Sequence, residues 1–477
     1  MKVSYKYPSK PYLHFDKITS FNRKVEKYVY DFEENPMHSF LPLIFSEITM
    51  EKFKDIKNDI NNENKIRNGK KVPVKEKIRP IMYASHIDNY IYKHYGVQLN
   101  TLFNSYITKY GFDNSVTAYR TNKDGKNNIY FAAEIINYIS ENPMCYVYVG
   151  DYTGFFDNLN HDYLKDMINL LYEKKRMPDH QFKIFKSLTK YSYVHKKDIN
   201  YYVGEDSDLY KKRQTSYFSS FREFREFKNQ KSIHYDDGDK TIRVNDKKNI
   251  GIPQGTAISA IYSNIYMLQI DEYITKTVEG LGGIYRRYSD DFIMVLPNLD
   301  RKIFDKLCDD IEKKILLTAK LEIHPEKTSI MIFDGAHLKK LDSGKYAKLD
   351  YLGFVFDGKN VRMREKSIYK FYRTAYKLIR KGEIISKKKG HVGERTRLTY
   401  KRKLYQNYHH LGEHTDFKYK YKKRKFGTFI TYARKSQKIF EELSPMTNNL
   451  MTGQIKNHQK NIRQKMNKSI RQLKLKS

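Results

Sequence analysis

The stretch YRRYSDDFIMV, residues 285–295, sets two adjacent aspartates, Asp290 and Asp291, directly before a run of apolar residues. Like charges at neighbouring positions repel, and desolvating either carboxylate is costly without a partner. A chain tolerates this in two ways: the pair lies in a solvated turn, or it holds a cation. Both place Ser289-Asp290-Asp291 at the turn of a hairpin, with one strand ending at Tyr288 and the next running through FIMV.

A third acid belongs to the same problem. In MCYVYVGDYTGFFDNLNHDYLKDMINLLYEK (144–174), Val147, Val149 and their aromatic neighbours read as a short strand buried on both faces. That strand ends at Gly150-Asp151, and Asp157 or Asn160 can cap a helix beginning near His161. Adjacent antiparallel strands lie about 4.8 Å apart, so a strand end and a neighbouring hairpin tip can bring three carboxylates within one ion's reach. Mg²⁺ is held by one or two carboxylates plus substrate phosphates, and two ions about 3.5–4 Å apart suit phosphoryl transfer. Taken alone, however, an Asp-Asp pair is more often an ordinary turn that needs no metal.

The remaining segments supply helices and strands around this hairpin. TMEKFKDIKNDINNENKIRNGK (49–70) has apolar residues at helical intervals, which predicts a helix within a basic extension over residues 1–70. KVPVKEKIRPIMYAS predicts a strand pair, HIDNYIYKHYGVQLNTLFNSYI an amphipathic helix, and AAEIINYISENP a helix stopped by Pro143. Residues 204–250 are polar and predict a loop or hairpin insertion. GIPQGTAISAIYSNIYMLQIDEYI predicts a Gly-Pro turn leading into a long apolar helix. DRKIFDKLCDDIEKKILLTAKLEI predicts a helix and a short strand, and KLDYLGFVFDGKNVRM another hairpin. No repeat of fixed period is present. The order implies an α+β domain, an antiparallel sheet backed by helices, over residues 71–360. A helical, basic region follows over residues 361–477.

Charge and cysteine content narrow the function. The net charge is +35, and residues 361–440 alone hold 25 Lys and Arg against 5 Asp and Glu. Aromatics interleave with these bases, as in IYKFYRTAYKLIRK and FKYKYKKRKFGTFITYARK, so a polyanion partner, nucleic acid above all, is expected. Cys145 and Cys308 are the only cysteines. They exclude a disulfide framework or a four-cysteine zinc site and fit a reducing compartment. With no long apolar stretch and no apolar signal core, a cytoplasmic protein without membrane contact is expected.

Three motifs in order, DYTGFFD (151–157), GIPQG (251–255) and YSDD (288–291), resemble successive palm motifs of reverse transcriptases. KIRPI (77–81) resembles the fingers motif, HPEKTSIM (324–331) the later palm motif, and YLGFVFDG (351–358) the primer-grip hairpin. The ordered set is far more specific than any member. The resemblance implies a right-hand polymerase with fingers, palm and thumb that adds dNTPs on an RNA template to yield DNA. It implies two Mg²⁺ ions, with Mn²⁺ as a substitute, on Asp151 and Asp290, with Asp291 as an auxiliary acid. Phe156 matches the steric gate that excludes a ribose 2′-hydroxyl, and a core phenylalanine is its bland alternative. Gln254 and Gly255 would line the incoming nucleotide, and Arg79 with Lys77 or Lys75 would grip its triphosphate. Lys327 matches a lysine that protonates pyrophosphate, although a solvated surface lysine explains it almost as well. Arg120 is a weaker candidate for template or phosphate contact. Tyr351, Leu352 and Gly353 match the primer grip. Helix capping accounts for Asp157 and His161.

Within this superfamily the chain is most similar to bacterial enzymes: retrons, group II intron proteins and the defence-associated or abortive-infection group. The last fits best, given a long basic C-terminal region and no nuclease or RNase H segment. Its members make DNA during phage infection, some with a dedicated noncoding RNA. A retron-type or intron-derived enzyme, an RNA-dependent RNA polymerase and a non-catalytic RNA-binding scaffold are the alternatives. Homo-oligomerisation stays open.

Overall fold

We describe the chain from a computed structural model covering residues 7–8, 10–53, 64–67, 70–173, 176–233, 240–245, 247–414, 418–419, 422–423 and 427–475. Among the described residues three larger sheets organise it, beside a two-stranded ribbon of Lys418–Tyr419 and Lys422–Lys423.

The first sheet builds the fingers. After helix α1 (Arg23–Glu34), capped by the Asn22 side chain, strands β1 (Leu43–Phe53), β2 (Asn64–Arg67) and β3 (Lys70–Tyr83) form an antiparallel ladder. The helix predicted over 49–70 is therefore overturned where the chain is described: Thr49–Phe53 is strand, while 54–63 lies outside the described residues. β1 pairs with residues 74–83 of β3 along ten positions, and that long-range ladder outweighs a local helical pattern. The strand pair predicted over 71–85 is a single strand, because its partner lies upstream. Helix α2 (His86–Lys109) then runs through the interior, capped by Ser85, with buried residues around most of its circumference. Helix α3 (Asn128–Glu141) follows.

The palm sheet comes next. β4 (Cys145–Asp151) leads to helices α4 (His161–Leu171) and α5 (Asp179–Thr189) and to β5 (Ser192–His195), which joins the fingers sheet beside β1. Helices α6 (Lys196–Val203), α7 (Asp206–Lys211) and α8 (Phe221–Lys228) and strand β6 (Ile242–Val244) follow. The region 204–250, where described, is irregular chain interrupted by the short helices α7 and α8 and closed by β6, so the predicted loop carries helices that the sequence reading did not expect. Its Leu209, Tyr217, Phe218 and Phe227 supply the apolar anchors of a small core with Leu13, Phe15 and Ile44. The long helix predicted after GIPQG is two, α9 (Ser259–Tyr266) and α10 (Leu268–Gly280), which meet at Met267. Strands β7 (Ile284–Tyr288) and β8 (Asp291–Pro297), helix α11 (Arg301–Lys314), and strands β9 (Ser329–Phe333) and β10 (Leu338–Lys340) complete the palm. Its order is β10-β9-β4-β8-β7, antiparallel throughout.

Strand alternation gives the palm two cores. Tyr146 and Tyr148 of β4, with Phe292, Met294 and Leu296 of β8, face a core that includes α2, α4, α9 and α10. Cys145, Val147, Ile293 and Val295 face a second core with α3 and the third sheet. Most side chains of the adjacent strands β4, β8 and β7 are buried, which anchors the strands whose ends carry the acids.

The third sheet follows, where a hairpin was predicted. Three strands, β11 (Leu349–Tyr351), β12 (Phe354–Phe356) and β13 (Asn360–Met363), are joined in parallel by Asn448–Asn449. Helices α12 (Glu365–Lys388), α13 (Lys401–Tyr408), α14 (Phe429–Leu443) and α15 (His458–Lys474) form the basic C-terminal bundle. The architecture is the α+β right hand expected from the sequence. Among the described residues no helix is long and apolar enough to cross a membrane.

Candidate active site

β4 and β8 run antiparallel, with Asp151 directly opposite Asp291. The hairpin predicted from the sequence forms, with Tyr288 opposite Asp291 and Ser289-Asp290 at the turn. Ser289 adopts φ 63°, a left-handed conformation that costs a β-substituted residue energy and is held here by its surroundings. Its buried backbone carbonyl accepts from Arg287 Nη1 at 2.9 Å, and its hydroxyl accepts from Tyr119 at 3.3 Å. Gly150, one residue before Asp151, packs under the Phe292 ring; a Cβ there would lie 2.3 Å from a ring carbon.

The charges at the site are unbalanced. Lys327 Nζ pairs with Asp151 Oδ2, whereas Asp151 Oδ1 is buried and has no hydrogen-bond partner. Desolvation in the cleft, then the neighbouring charges of Asp290 and Asp151, pushes Asp291 up to about 6 against the opposing pull of Arg364 and Lys327. An unpartnered buried carboxylate oxygen beside two further carboxylates is an all-oxygen donor set, which fits a hard divalent cation. Among the described residues no three His, Cys, Asp or Glu side chains form a finished metal cage. Mg²⁺ sites completed by water and substrate phosphates need none.

The GIPQG loop is clamped between two other elements. Gly251 has φ 87°, its N–H donates to the Leu159 carbonyl at 2.9 Å, and Ile252 N–H donates to the Phe156 carbonyl at 2.9 Å. Gly255 has φ 110°, and a Cβ there would lie 2.6 Å from the Met82 carbonyl oxygen. Met82 N–H donates to the Gln254 carbonyl at 2.6 Å. Gln254 and Gly255 are thus tied to the end of β3, three residues beyond the exposed Arg79. Lys77 and Lys75 lie on β3, but their side chains fall outside the described residues. Phe156 is half-buried, edge-on to the buried Phe155 at 5.6 Å, on the same turn that holds GIPQG.

Two local readings are corrected. Asn160 caps α4, its side chain accepting from Tyr163 N–H at 3.0 Å, whereas Asp157 lies 3.6 Å from Lys247. His161 Nε2 meets the Gly251 carbonyl at 2.8 Å, so it braces the nucleotide loop and caps nothing. Arg120 is not brought to the acids. Its buried guanidinium donates to Asn104, Asp113, Val116 and Asn122, which consumes its donors inside the fold.

The primer-grip residues are at the site's edge. Leu352 and Gly353 form a two-residue turn with φ 46° and 97°, as a tight hairpin demands. Asn128 Nδ2 donates to the Leu352 carbonyl at 2.9 Å, and Arg364 N–H donates to the Gly353 carbonyl at 2.9 Å. With buried Tyr351 they line a cleft of about 370 Å³ shared with Asp291, Asp350 and Arg364.

Sequence reasoning missed the group that holds the aspartate turn in place. Arg287 and Asp271 are fully buried and joined at 2.6 Å, and Arg287 also donates to Asn264 Oδ1 at 3.2 Å. The signal was present in YRRYSDD: a strand otherwise facing a core carries an arginine, which demands a buried partner.

Residues 220–356 match the family model described as Reverse transcriptase (RNA-dependent DNA polymerase). That span holds Gln254, Gly255, Asp290, Asp291, Lys327 and the primer grip, but not Asp151, Phe156 or Arg79. No curated protein sequence matches the chain. Similar solved structures include apo telomerase from Candida tropicalis truncated from its C-terminal domain, at 15% identity, 61% of this chain, 54% of that chain and TM-score 0.41. Another is telomerase from Candida albicans in complex with a TWJ fragment of telomeric RNA, at 14% identity, 74% of this chain, 54% of that chain and TM-score 0.36. The chain spans about half the length of these two structures. Over residues 220–356, under a third of its length, the chain is similar to the reverse transcriptase family.

Proposed function

We propose that the chain is an RNA-directed DNA polymerase that adds dNTPs to a primer paired with RNA. The observation that carries this reading is the apposition of Asp151 and Asp291 across β4 and β8, with Asp290 at the adjoining turn and one Asp151 oxygen left unpartnered. Asp151 and Asp290 would hold two Mg²⁺, or Mn²⁺ in their place, with Asp291 beside them. When bound, such ions activate the attacking hydroxyl and stabilise the leaving oxygen.

The chain's own residues do the positioning. Arg79, with Lys77, offers charge to the triphosphate at the end of β3, while Gln254 and Gly255 shape the wall against which the nucleotide lies. Phe156 presents its ring where a ribose 2′-hydroxyl would intrude. Lys327 neutralises Asp151 in the free protein. Its ammonium, at the edge of the acids, would be the group placed to give a proton to pyrophosphate. The Leu352-Gly353 turn supports the primer terminus. Residues 71–360 serve as fingers with palm and residues 361–477 as a basic thumb that grips the template–primer, while residues 1–70 are an extension that lends β1 and β2 to the fingers sheet.

The placement among bacterial antiphage enzymes, working in the cytoplasm with a structured RNA of their own, rests on the sequence resemblance alone. Sequencing nucleic acid that co-purifies with the protein tests it: heterogeneous host RNA with no defined cDNA would count against a dedicated template. The polymerase reading has a direct assay, incorporation of dNTPs or NTPs on an RNA template with Mg²⁺. We expect dNTP incorporation that Asp290→Ala abolishes and a gate that Phe156→Ala opens to ribonucleotides; preference for NTPs in the unaltered protein would overturn it.

A further inference from the structure

Helix α15 carries a cationic stripe that the polymerase site does not use. Lys456, just before the helix, and Lys460, Arg463, Asn467, Arg471 and Lys474 recur at steps of three and four, which places them along one side. All six are exposed. The opposite face is fixed: Ile462, Met466 and Leu473 are buried in a core with Ala375 and Ile379 of α12 and with Leu404 of α13. The stripe is therefore held by packing and cannot turn inward.

Its charge has no internal answer. Residues 443–477 contain no acidic residue. Among the described residues none of Lys456, Lys460, Arg463, Lys468, Arg471 and Lys474 forms an ion pair. Elsewhere in the same bundle, Lys387 pairs with Glu383 at 2.6 Å and Arg434 with Glu413 at 2.6 Å. Like charges at i, i+4 destabilise a helix. Where a few bases of the bundle do find acids, those along α15 stand unpaired in a row. Gln459, Gln464 and Asn467 join Lys456, Lys460 and Arg463 around a concavity of about 400 Å³. Amides among cations suit a sugar-phosphate backbone that also offers hydroxyls, because they can bond a 2′-hydroxyl while the cations meet phosphates.

We propose that the outer face of α15 is a binding surface for the phosphate backbone of structured RNA. Lys456, Lys460 and Arg463 follow each other by about 4.5–6 Å of helix rise, and Arg471 and Lys474 resume the row about 12 Å further on, with Asn467 between, so the stripe runs along a phosphate backbone. The choice of RNA over other polyanions rests in part on the polymerase reading; the surface itself does not.

The test measures binding of a hairpin RNA of about 16 base pairs to the full chain across a salt series, by fluorescence anisotropy. K460Q/R463Q/R471Q should weaken binding at least tenfold, on the order of what three lost phosphate contacts give, and lower the salt slope by about 2 to 3. A charge-matched control, R222Q/R225Q/K228Q on α8, should bind like the unaltered protein. An equal loss in both variants means that only total charge matters and overturns the site. Unchanged binding by the α15 variant overturns it as well. Equal affinity for a DNA hairpin of the same sequence, with the same loss of slope, overturns the assignment to RNA. Failure of the polymerase reading shows separately, as absent dNTP incorporation by the unaltered protein.

Discussion

Within seven residues, 285–291, the chain treats charge in two opposite ways. Arg287 is fully buried and saturated: Asp271 takes its guanidinium, with Asn264 and the Ser289 carbonyl accepting the rest. Four residues on, Asp291 faces Asp151 and Asp290 with only the distant help of Arg364 and Lys327. A saturated pair fixes geometry. An unsaturated cluster stores charge for a ligand, and it can be kept only where a saturated neighbour prevents the turn from relaxing. The difference therefore separates residues that build the site from residues that act in it.

The sharpest way to break this division is to neutralise one acid. Asp151→Asn keeps the shape of the β4 end but removes the charge a cation needs. Nucleotide incorporation should fall about 10³-fold or more, while thermal unfolding and RNA affinity stay where they are. A variant that lost activity only through unfolding would make Asp151 structural and erase the contrast.

The converse change probes the saturated side. Arg287→Met leaves the Asp271 carboxylate buried with no countercharge and only the Tyr285 hydroxyl donating to it, and should cost about 3–5 kcal/mol, read as a lower urea midpoint. The double change Arg287→Met with Asp271→Leu removes both charges and should recover much of that loss. If the single change were neutral, the turn would be held by something else.

A third treatment, burying a titratable group in its neutral form, lies in the fingers. His14 is fully buried, its Nδ1 accepts from Phe15 N–H at 2.8 Å, and its Nε2 meets the Tyr83 carbonyl at 3.3 Å. Burial lowers it to about 3, Asp16 opposing and His86 and Lys196 reinforcing. Below the ordinary value near 6.5, the unfolded chain takes a proton that the folded chain refuses, so stability falls as pH drops from about 6.5 toward 3. Between pH 7 and 5 the loss from this group should be about 1–2 kcal/mol, and His14→Gln should flatten that part of the urea-midpoint curve. An unchanged curve would mean that His14 is charged in the fold.

Much of the palm was legible because its signals are local. CYVYVGD and FIMVLP are apolar runs bounded by turns, and the order of the short motifs did the rest. What was not legible depends on partners far along the chain. Residues 43–53 become a strand because residues 74–83 lie beside them, and no periodicity within the segment encodes that. Lys327 finds Asp151 across 176 residues, so a lysine that read almost equally well as solvated is an ion-pair partner. Arg120 carried the opposite error. Its charge suggested a ligand, while Asp113, seven residues upstream, already claimed it.

The smallest expected effect tests the stored charge directly. Asp291 is exposed at the end of β8, yet partial desolvation on its cleft side and two neighbouring like charges raise it, so its ionised form is a modest burden in the free protein. Asp291→Asn should then stabilise the chain, by about 0.5–1 kcal/mol, in the absence of divalent cations. Addition of Mg²⁺ should stabilise the unaltered protein and the variant unequally, because cation binding offsets a repulsion that only the unaltered protein carries. A rise in the urea midpoint of the variant that narrows on adding Mg²⁺ would place Asp291 on the unsaturated side of the comparison. A fall in the midpoint would show that the carboxylate is already paid for by Arg364, and would move Asp291 to the same side as Arg287.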